Sequence, residues 1–287
     1  MKILLAVDGS EQSHDAARAL AHLTPAEETI VVHAVDVPAP AYPMMMPEVA
    51  QDLSATLERT MREQGQRLLE RMASVVPGDI GPVRARLEMG RPVDVVLGAA
   101  EAEGAELIVL GARGLTPMKE LLLGSVSQRV AGQAHGATLV VKAPVPALRR
   151  VLVAVEGPSD GTQVVRLLAR KPFRTLPDVT ILTVLPMAQP LWPVGLSDAE
   201  ALKEKAMQSA RAFVDDQAAH LARSGYRATG AVTLGLPATA ILGWAKETQA
   251  DLIVVGTRGR RGVERLLLGS VSHAVLAGAA CPVLVVR

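Results

Sequence analysis

Aromatic residues are nearly absent: Phe, Trp and Tyr make up 2% of the 287 residues, although hydrophobic residues reach 49%. The core must therefore be built from Ala, Val, Leu and Ile, which favours helices packed closely on a Val/Ile/Leu-rich sheet. The single cysteine, Cys281, excludes an internal disulfide and accords with a reducing compartment. It sits in the apolar run from Ala279 to Val286 and reads as a packed thiol. No apolar run approaches the roughly 20 residues a membrane-spanning helix needs. The first one, Met1 to Val7, is cut short by Asp8 and is too brief for a signal peptide. A soluble cytoplasmic protein with no membrane partner is the expectation. A basic excess is missing as well: 30 Lys and Arg against 29 Asp and Glu leave a formal charge of +1, which argues against a general nucleic-acid binder. The six histidines are scattered without metal-ligand spacing. No Ser/His/Asp set, paired carboxylates or metal cluster points to efficient catalysis.

What the chain does carry is a repeat. Gly111-Ala-Arg-Gly114 is followed, after nine residues, by Gly124-Ser125-Val126-Ser127, and Gly256-Thr-Arg-Gly259 is followed at the same gap by Gly269-Ser270-Val271-Ser272. From Ala105 to Val130 against Ala250 to Val275, 15 of 26 positions are identical at an offset of 145. The length suits two domains, placed at 1–143 and 148–287, joined by a short proline-stiffened linker.

Each half reads as alternating strands and helices. In the first, strands are expected at Lys2 to Val7, Thr29 to Val35, Val83 to Glu88, Leu107 to Leu110 and Thr138 to Val141. Helices are expected from the N-cap Ser10 through Leu23, from about Val49 to Ala73, from Pro92 to Glu103, and from Ser125 to Ala134. In the second, strands fall at Arg150 to Val155, Val179 to Val184, Ala228 to Thr233, Leu252 to Val255 and Val283 to Val286. Its helices fall at Gln163 to Ala169, Glu200 to Ser224, Pro237 to Thr248 and Ser270 to Ala277. This order predicts two doubly wound α/β domains with five-stranded parallel sheets, whose ligands bind beyond the carboxyl ends of the strands.

The repeated motif falls on that edge. Asp8 ends the first strand, Gly111 ends the fourth, and Gly124-Ser125 opens the helix after it. A helix N-terminus offers unpaired N–H groups and the positive end of the dipole, so it attracts phosphate. Glycine lets the backbone come close, Ser125 and Ser127 add hydroxyls, and Arg113 adds charge. A lone Gly-x-x-Gly is a common turn; the fixed gap, the Gly-Ser helix start and the second copy together point to an anion site.

On these residues the chain resembles the tandem universal stress proteins along essentially its whole length. The start Val7-Asp8-Gly9-Ser10 resembles that family's opening strand and turn, and both Gly-x-x-Gly-x9-Gly-Ser segments resemble the pattern of its ATP-binding members. The resemblance implies an adenine nucleotide alpha hydrolase-like, Rossmann-like fold of strand order 3-2-1-4-5 in each half. It implies ATP as ligand, with Mg²⁺ brought by the phosphates rather than by direct protein ligands. Asp8 would contact the ribose or, through water, the metal-bound phosphates, and Ala34 would lie against the adenine. Gly111, Arg113, Gly114, Gly124, Ser125, Val126 and Ser127 would surround ribose and phosphates. The second-half equivalents are Glu156, Val184, Gly256, Arg258, Gly259, Gly269, Ser270, Val271 and Ser272. There the pattern departs: Glu156 replaces the expected Asp, and Pro158 stands where Ser10 stands in the first half.

The function so implied is an ATP-binding stress-response regulator or sensor, with at most slow ATP hydrolysis and an unknown downstream protein partner. The alternative is an interaction module of the same family that binds no nucleotide. The resemblance further implies an intramolecular pseudo-dimer of the two halves, with a homodimer of chains open on top. Two further sequence features have plain readings. Met44-Met45-Met46 lies in a loop flanked by Pro43 and Pro47, and Arg258, Arg260, Arg261 and Arg265 form a basic loop that solvation or a triphosphate would suit.

Overall fold

Near-continuous runs of Ile, Leu and Val form the strands because both faces of a parallel sheet are covered by helices. The computed structural model describes residues 1–37, 47–114, 123–186, 196–257 and 268–287, apart from the side chains of 47–50 and 196–199. Two compact units emerge, one holding most of Met1 to Pro144 and the other holding Val145–Arg287.

In the first unit the strands are β1 (Lys2–Ala6), β2 (Glu28–Val35), β3 (Val83–Met89), β4 (Leu107–Gly111) and β5 (Ala137–Val141). The helices are α1 (Glu11–Ala19), α2 (Pro47–Val75), α3 (Pro92–Glu103) and α4 (Ser125–Gln133). The strands lie in the order β3-β2-β1-β4-β5, all parallel. The chain therefore reverses its winding between β1 and β4, where Leu5 pairs with Val109 and Ala6 with Leu110. Helices α1 and α2 pack together, as do α3 and α4, each pair against the sheet. Ile3, Leu4, Leu5, Ile30, Val31 and Val109 are fully buried between these layers. The edge strand β3 is exposed and charged: Arg84 bonds Glu28 at 3.0 Å and Glu103 at 2.6 Å. Its guanidinium holds the Glu103 carboxyl below the usual range. Charges of this kind discourage a further strand from pairing there.

The second unit repeats the plan with β6 (Arg150–Ala154), β7 (Asp178–Leu185), β8 (Arg227–Leu234), β9 (Leu252–Gly256) and β10 (Val283–Val286). Helices α5 (Pro158–Ala169), α6 (Leu196–Arg223), α7 (Pro237–Glu247) and α8 (Ser270–Gly278) connect them. The order is β8-β7-β6-β9-β10, again parallel throughout. Asp251 ties the entry of β6 to that of β9, its Oδ2 accepting from the N–H groups of Arg149 and Arg150 at 2.8 and 2.9 Å.

Both halves thus have the doubly wound parallel sheet expected from the alternation of strands and helices, in the order 3-2-1-4-5 that the family resemblance implied. The main departure is α5, which begins at Pro158 rather than Gln163. Proline at the first helical position costs no hydrogen bond and presets φ, and Asp160 then accepts from the two N–H groups preceding it. Conversely α1 ends at Ala19 and tightens into a 3₁₀ turn over Leu20–His22, which stops one residue short of the expected Leu23.

Candidate functional site

The turn after β1 is built by side chains that satisfy its own backbone. Gly9 adopts φ +82°, a left-handed conformation that glycine takes at no steric cost, and its Cα lies so close to Leu68 that a Cβ would come within 2.9 Å. The Oδ1 of Asp8 accepts from the N–H of Ser10 at 3.0 Å, and the Oγ of Ser13 accepts from that of Gly9 at 3.2 Å. Ser10 caps α1, its Oγ accepting from the N–H of Ser13 at 3.2 Å. The carboxylate of Asp8 is thereby held at the mouth of the switch point, half-buried.

Across the switch point the glycine loop leans on this turn. The Ser10 hydroxyl donates to the carbonyl of Arg113 at 3.3 Å, and the Arg113 N–H donates to Oε1 of Gln12 at 2.7 Å. Arg113 is thus tethered through its main chain, while its guanidinium has no ion-pair partner among the described residues. A Cβ on Gly111 would press into the Gln12 backbone at 2.9 Å, and one on Gly114 would collide with Oδ2 of Asp8. Glycine at these positions is required by close approach to α1 and to the Asp8 carboxylate.

The helix end completes the cradle. Gly124 is the N-cap of α4, with extended backbone and its N–H bonded to the carbonyl of Ala112 at 2.8 Å. The first-turn N–H groups of Ser125, Val126 and Ser127 have no acceptor within the helix and form its positive end. Ser125 is exposed and Val126 half-buried. Ser127 is only 2% exposed, and its hydroxyl lies 2.7 Å from Ala112 O and 2.9 Å from Gly124 O. In this arrangement the hydroxyl's one proton goes to the main chain, so Ser127 braces the turn before α4. Ala34 lies one residue from the end of β2, half-buried and in register with Glu88. Next to it the Nδ1–H of His33 donates to Val7 O at 2.8 Å, fixing the end of β2 to that of β1.

The second half keeps part of this arrangement. Gly269 caps α8, and Ser272, 8% exposed, gives its hydroxyl to Gly256 O at 2.6 Å, so it too braces the loop. Ser270 is exposed and Val271 half-buried. Val184 occupies the place of Ala34, in register with Thr233, and Thr183 replaces His33 by donating to Val155 O at 3.0 Å. The turn after β6 is different. Glu156 is exposed, Gly157 is extended at φ −178°, and Pro158 has no N–H to offer a carboxylate. Asp160, 6% exposed, accepts instead from the N–H groups of Glu156 at 2.7 Å and Gly157 at 3.0 Å. The Met44-Met45-Met46 segment and Arg258, Gly259, Arg260, Arg261 and Arg265 lie outside the described residues.

Two residues that matter here escaped the sequence reading: Gln12 and Asp160, which occupy equivalent places two positions into the turn-to-helix segment. Their strand ends are 148 residues apart, not 145, so the offset of the glycine repeat does not align them. Among the described residues no group of three or more His, Cys, Asp or Glu gathers as a metal site, and no helix is long and apolar enough to cross a membrane.

Comparison with known proteins places this geometry in context. The model of the universal stress protein family matches twice, over residues 1–142 and 147–287. A universal stress protein of Thermus aquaticus is 37% identical over 145 residues, 49% of this chain and 97% of its own. One from Mycolicibacterium smegmatis is 28% identical over 305 aligned residues, covering 99% of this chain and 96% of its own. The crystal structure of a universal stress protein from Archaeoglobus fulgidus superposes with a TM-score of 0.67 at 21% identity, covering 100% of this chain and 96% of that one.

Proposed function

The chain belongs to the universal stress protein family, as a tandem of two such domains, and from that premise we propose that its first half binds an adenine nucleotide, ATP with Mg²⁺, as the signal of a stress-response regulator. The observation that carries this reading is the close approach of Gly114 to the Asp8 carboxylate beside the open N-terminus of α4. A Cβ on Gly114 would collide with Oδ2 of Asp8, so glycine there lets the loop come up against the carboxylate.

The residues suit the ligand chemically. The first-turn N–H groups of Ser125 and Val126 and the guanidinium of Arg113 favour phosphate oxygens, while the Asp8 carboxylate suits ribose hydroxyls or the water shell of Mg²⁺, an ion that keeps several of its waters. Ala34, next to the end of β2, offers a small apolar surface for the adenine. Each hydrogen bond to a charged group contributes on the order of 1.5–3 kcal/mol, so three or four sustain micromolar binding after association costs. The roles assigned to the described residues are all binding roles, which suits a sensor that hydrolyses ATP slowly at most.

Denaturing extraction of freshly purified protein, followed by mass detection of released nucleotide and calorimetry of MgATP on the stripped protein, tests the proposal. Released adenine nucleotide and saturable binding are expected. Absence of both would make the chain an interaction module instead. A turnover above roughly 1 per second, within the ordinary enzyme range, would make it an ATPase.

A further inference from the structure

The two halves differ in the residue that faces the end of the glycine strand. In the first it is Gln12, a neutral amide that reaches across to the glycine loop and accepts from the Arg113 N–H at 2.7 Å. In the second it is Asp160, a carboxylate whose Cβ would lie 2.8 Å from a Cβ on Gly256, with its Oδ2 3.5 Å from the same point. Asp160 is 6% exposed, and its described partners are the backbone N–H groups of Glu156 and Gly157. No Lys, Arg or His pairs with it among the described residues.

We infer that Asp160 closes the second half to nucleotide polyphosphates, so that the chain takes one adenine nucleotide, in its first half. This rests on the nucleotide reading of that half and deepens it. Three consequences of the local sequence act together. Pro158 lacks the N–H that holds Asp8 in place through Ser10, so Glu156 cannot be folded back over the glycine loop by the same bond and is exposed. Asp160 takes over the task of satisfying the turn and in doing so lodges its carboxylate against Gly256, under the cradle that the N-terminus of α8 would otherwise offer to an anion. At the position facing the strand-end glycine the first half has the neutral Gln12, whereas the second has the carboxylate of Asp160. A fixed, nearly buried negative group repels an anion far more strongly than an exposed one does, because little solvent screens it.

The neutral Gln12 does a further job in the first half. Its amide ties the glycine loop to α1 from 101 residues away in sequence. The described partners of Asp160 lie four residues or fewer from its own position. The second half is therefore expected to show no MgATP binding at concentrations that saturate the first.

Calorimetry of MgATP on the stripped full chain tests this, with Gly124→Val to disable the first half and Asp160→Asn and Asp160→Gln to discharge the second. The wild-type chain should bind one nucleotide and Gly124→Val none, while Asp160→Asn or Asp160→Gln should add a second site, also in the Gly124→Val background. Two nucleotides on the wild type, or one retained by Gly124→Val, would overturn the inference while leaving the family's nucleotide reading in place. A discharged variant with an unchanged melting temperature and still a single site would show that Asp160 is not the determinant. No binding to the wild type would sink the parent reading and this one with it. Should both Asp160 variants misfold, the wild-type and Gly124→Val stoichiometries decide the single-site claim alone.

Discussion

Replacing Gly124 by valine should remove nucleotide binding and leave the fold standing, and the structure sets both magnitudes. The backbone of Gly124 has φ −66° and ψ 144°, extended values open to any residue, so a side chain brings no conformational penalty. The cost is steric: a Cβ would meet Ala112 O at 2.9 Å and the Arg113 Cα at 3.3 Å, both main-chain atoms that cannot swing aside. The same carbonyl of Ala112 accepts from Gly124 N at 2.8 Å and lies 2.7 Å from the Ser127 hydroxyl. Moving it weakens both contacts, at about 0.5–1.5 kcal/mol each. For a unit of this size 1 kcal/mol shifts the melting temperature by roughly 2–8 °C, so a fall of several degrees with a cooperative transition is expected. Binding should suffer more, because the shift carries the Arg113–Gly114 backbone away from the N-terminus of α4. Two or more lost contacts to charged phosphate oxygens amount to at least about 100-fold in affinity. Differential scanning calorimetry and MgATP titration read the two effects separately. A Gly124→Val protein that binds within twofold of wild type would refute the assignment of this helix end as the phosphate cradle.

Other substitutions probe the parts individually. Gln12→Ala strands the Arg113 N–H, and a several-fold loss of MgATP affinity is expected with accelerated hydrogen exchange at the Arg113 amide; unchanged exchange would show the 2.7 Å bond to be dispensable. Tyr226 is 3% exposed, donates to Leu168 O at 2.7 Å, and burial pushes its hydroxyl up from 10.0 to about 12. The folded state therefore binds this proton more tightly than the unfolded one, so the associated stability is complete below pH 10 and is lost as pH rises toward 12. That alkaline loss is at most about 2–3 kcal/mol. Tyr226→Phe should be less stable by about 1–3 kcal/mol at neutral pH and should lack that extra decline, as chemical denaturation at pH 8 and 11 would reveal. At the β3 edge, Arg84 holds the Glu103 carboxyl low, so its contribution is present above the ordinary Glu range and fades as pH falls through the lowered value. Glu103→Gln should flatten the stability profile on the acid side, and an unaltered profile would deny the ion pair any role.

Most of the sheet was legible because parallel strands advertise themselves. Runs such as Lys2–Ala6 and Leu252–Gly256 are apolar on both faces, and helices with proline at the first position, Pro92 and Pro237, announce their starts. The misplaced start of α5 has a specific cause. Gly157-Pro158-Ser159-Asp160-Gly161 contains turn-forming residues throughout, and two glycines and a proline within five positions read as a loop. What converts it to helix is a tertiary economy: Asp160 bonds two N–H groups that nothing else in the turn can satisfy, and Gly161 lets α5 pack within 2.8 Å of Phe213 Cζ when a Cβ is built there.

The candidate site shows the same division. The glycines of the motif could be picked out because their spacing repeats, and close approach accounts for Gly111, Gly114, Gly124 and Gly256. Their supporting side chains could not be, because a residue that braces a loop from another element has no fixed sequence distance to it: Gln12 reaches Arg113 across 101 positions, Ser10 across 103. Serine at the fourth position of the Gly-Ser-Val-Ser segment illustrates the consequence. Its type suggested a hydroxyl for the ligand, yet at that depth an unpaired hydroxyl costs roughly 1–3 kcal/mol, and the nearest acceptor for both Ser127 and Ser272 is the carbonyl of the glycine loop. Position sets the contacts: Ser125 at the helix start is exposed, whereas Ser127, two residues later, is turned inward onto the carbonyls of Ala112 and Gly124.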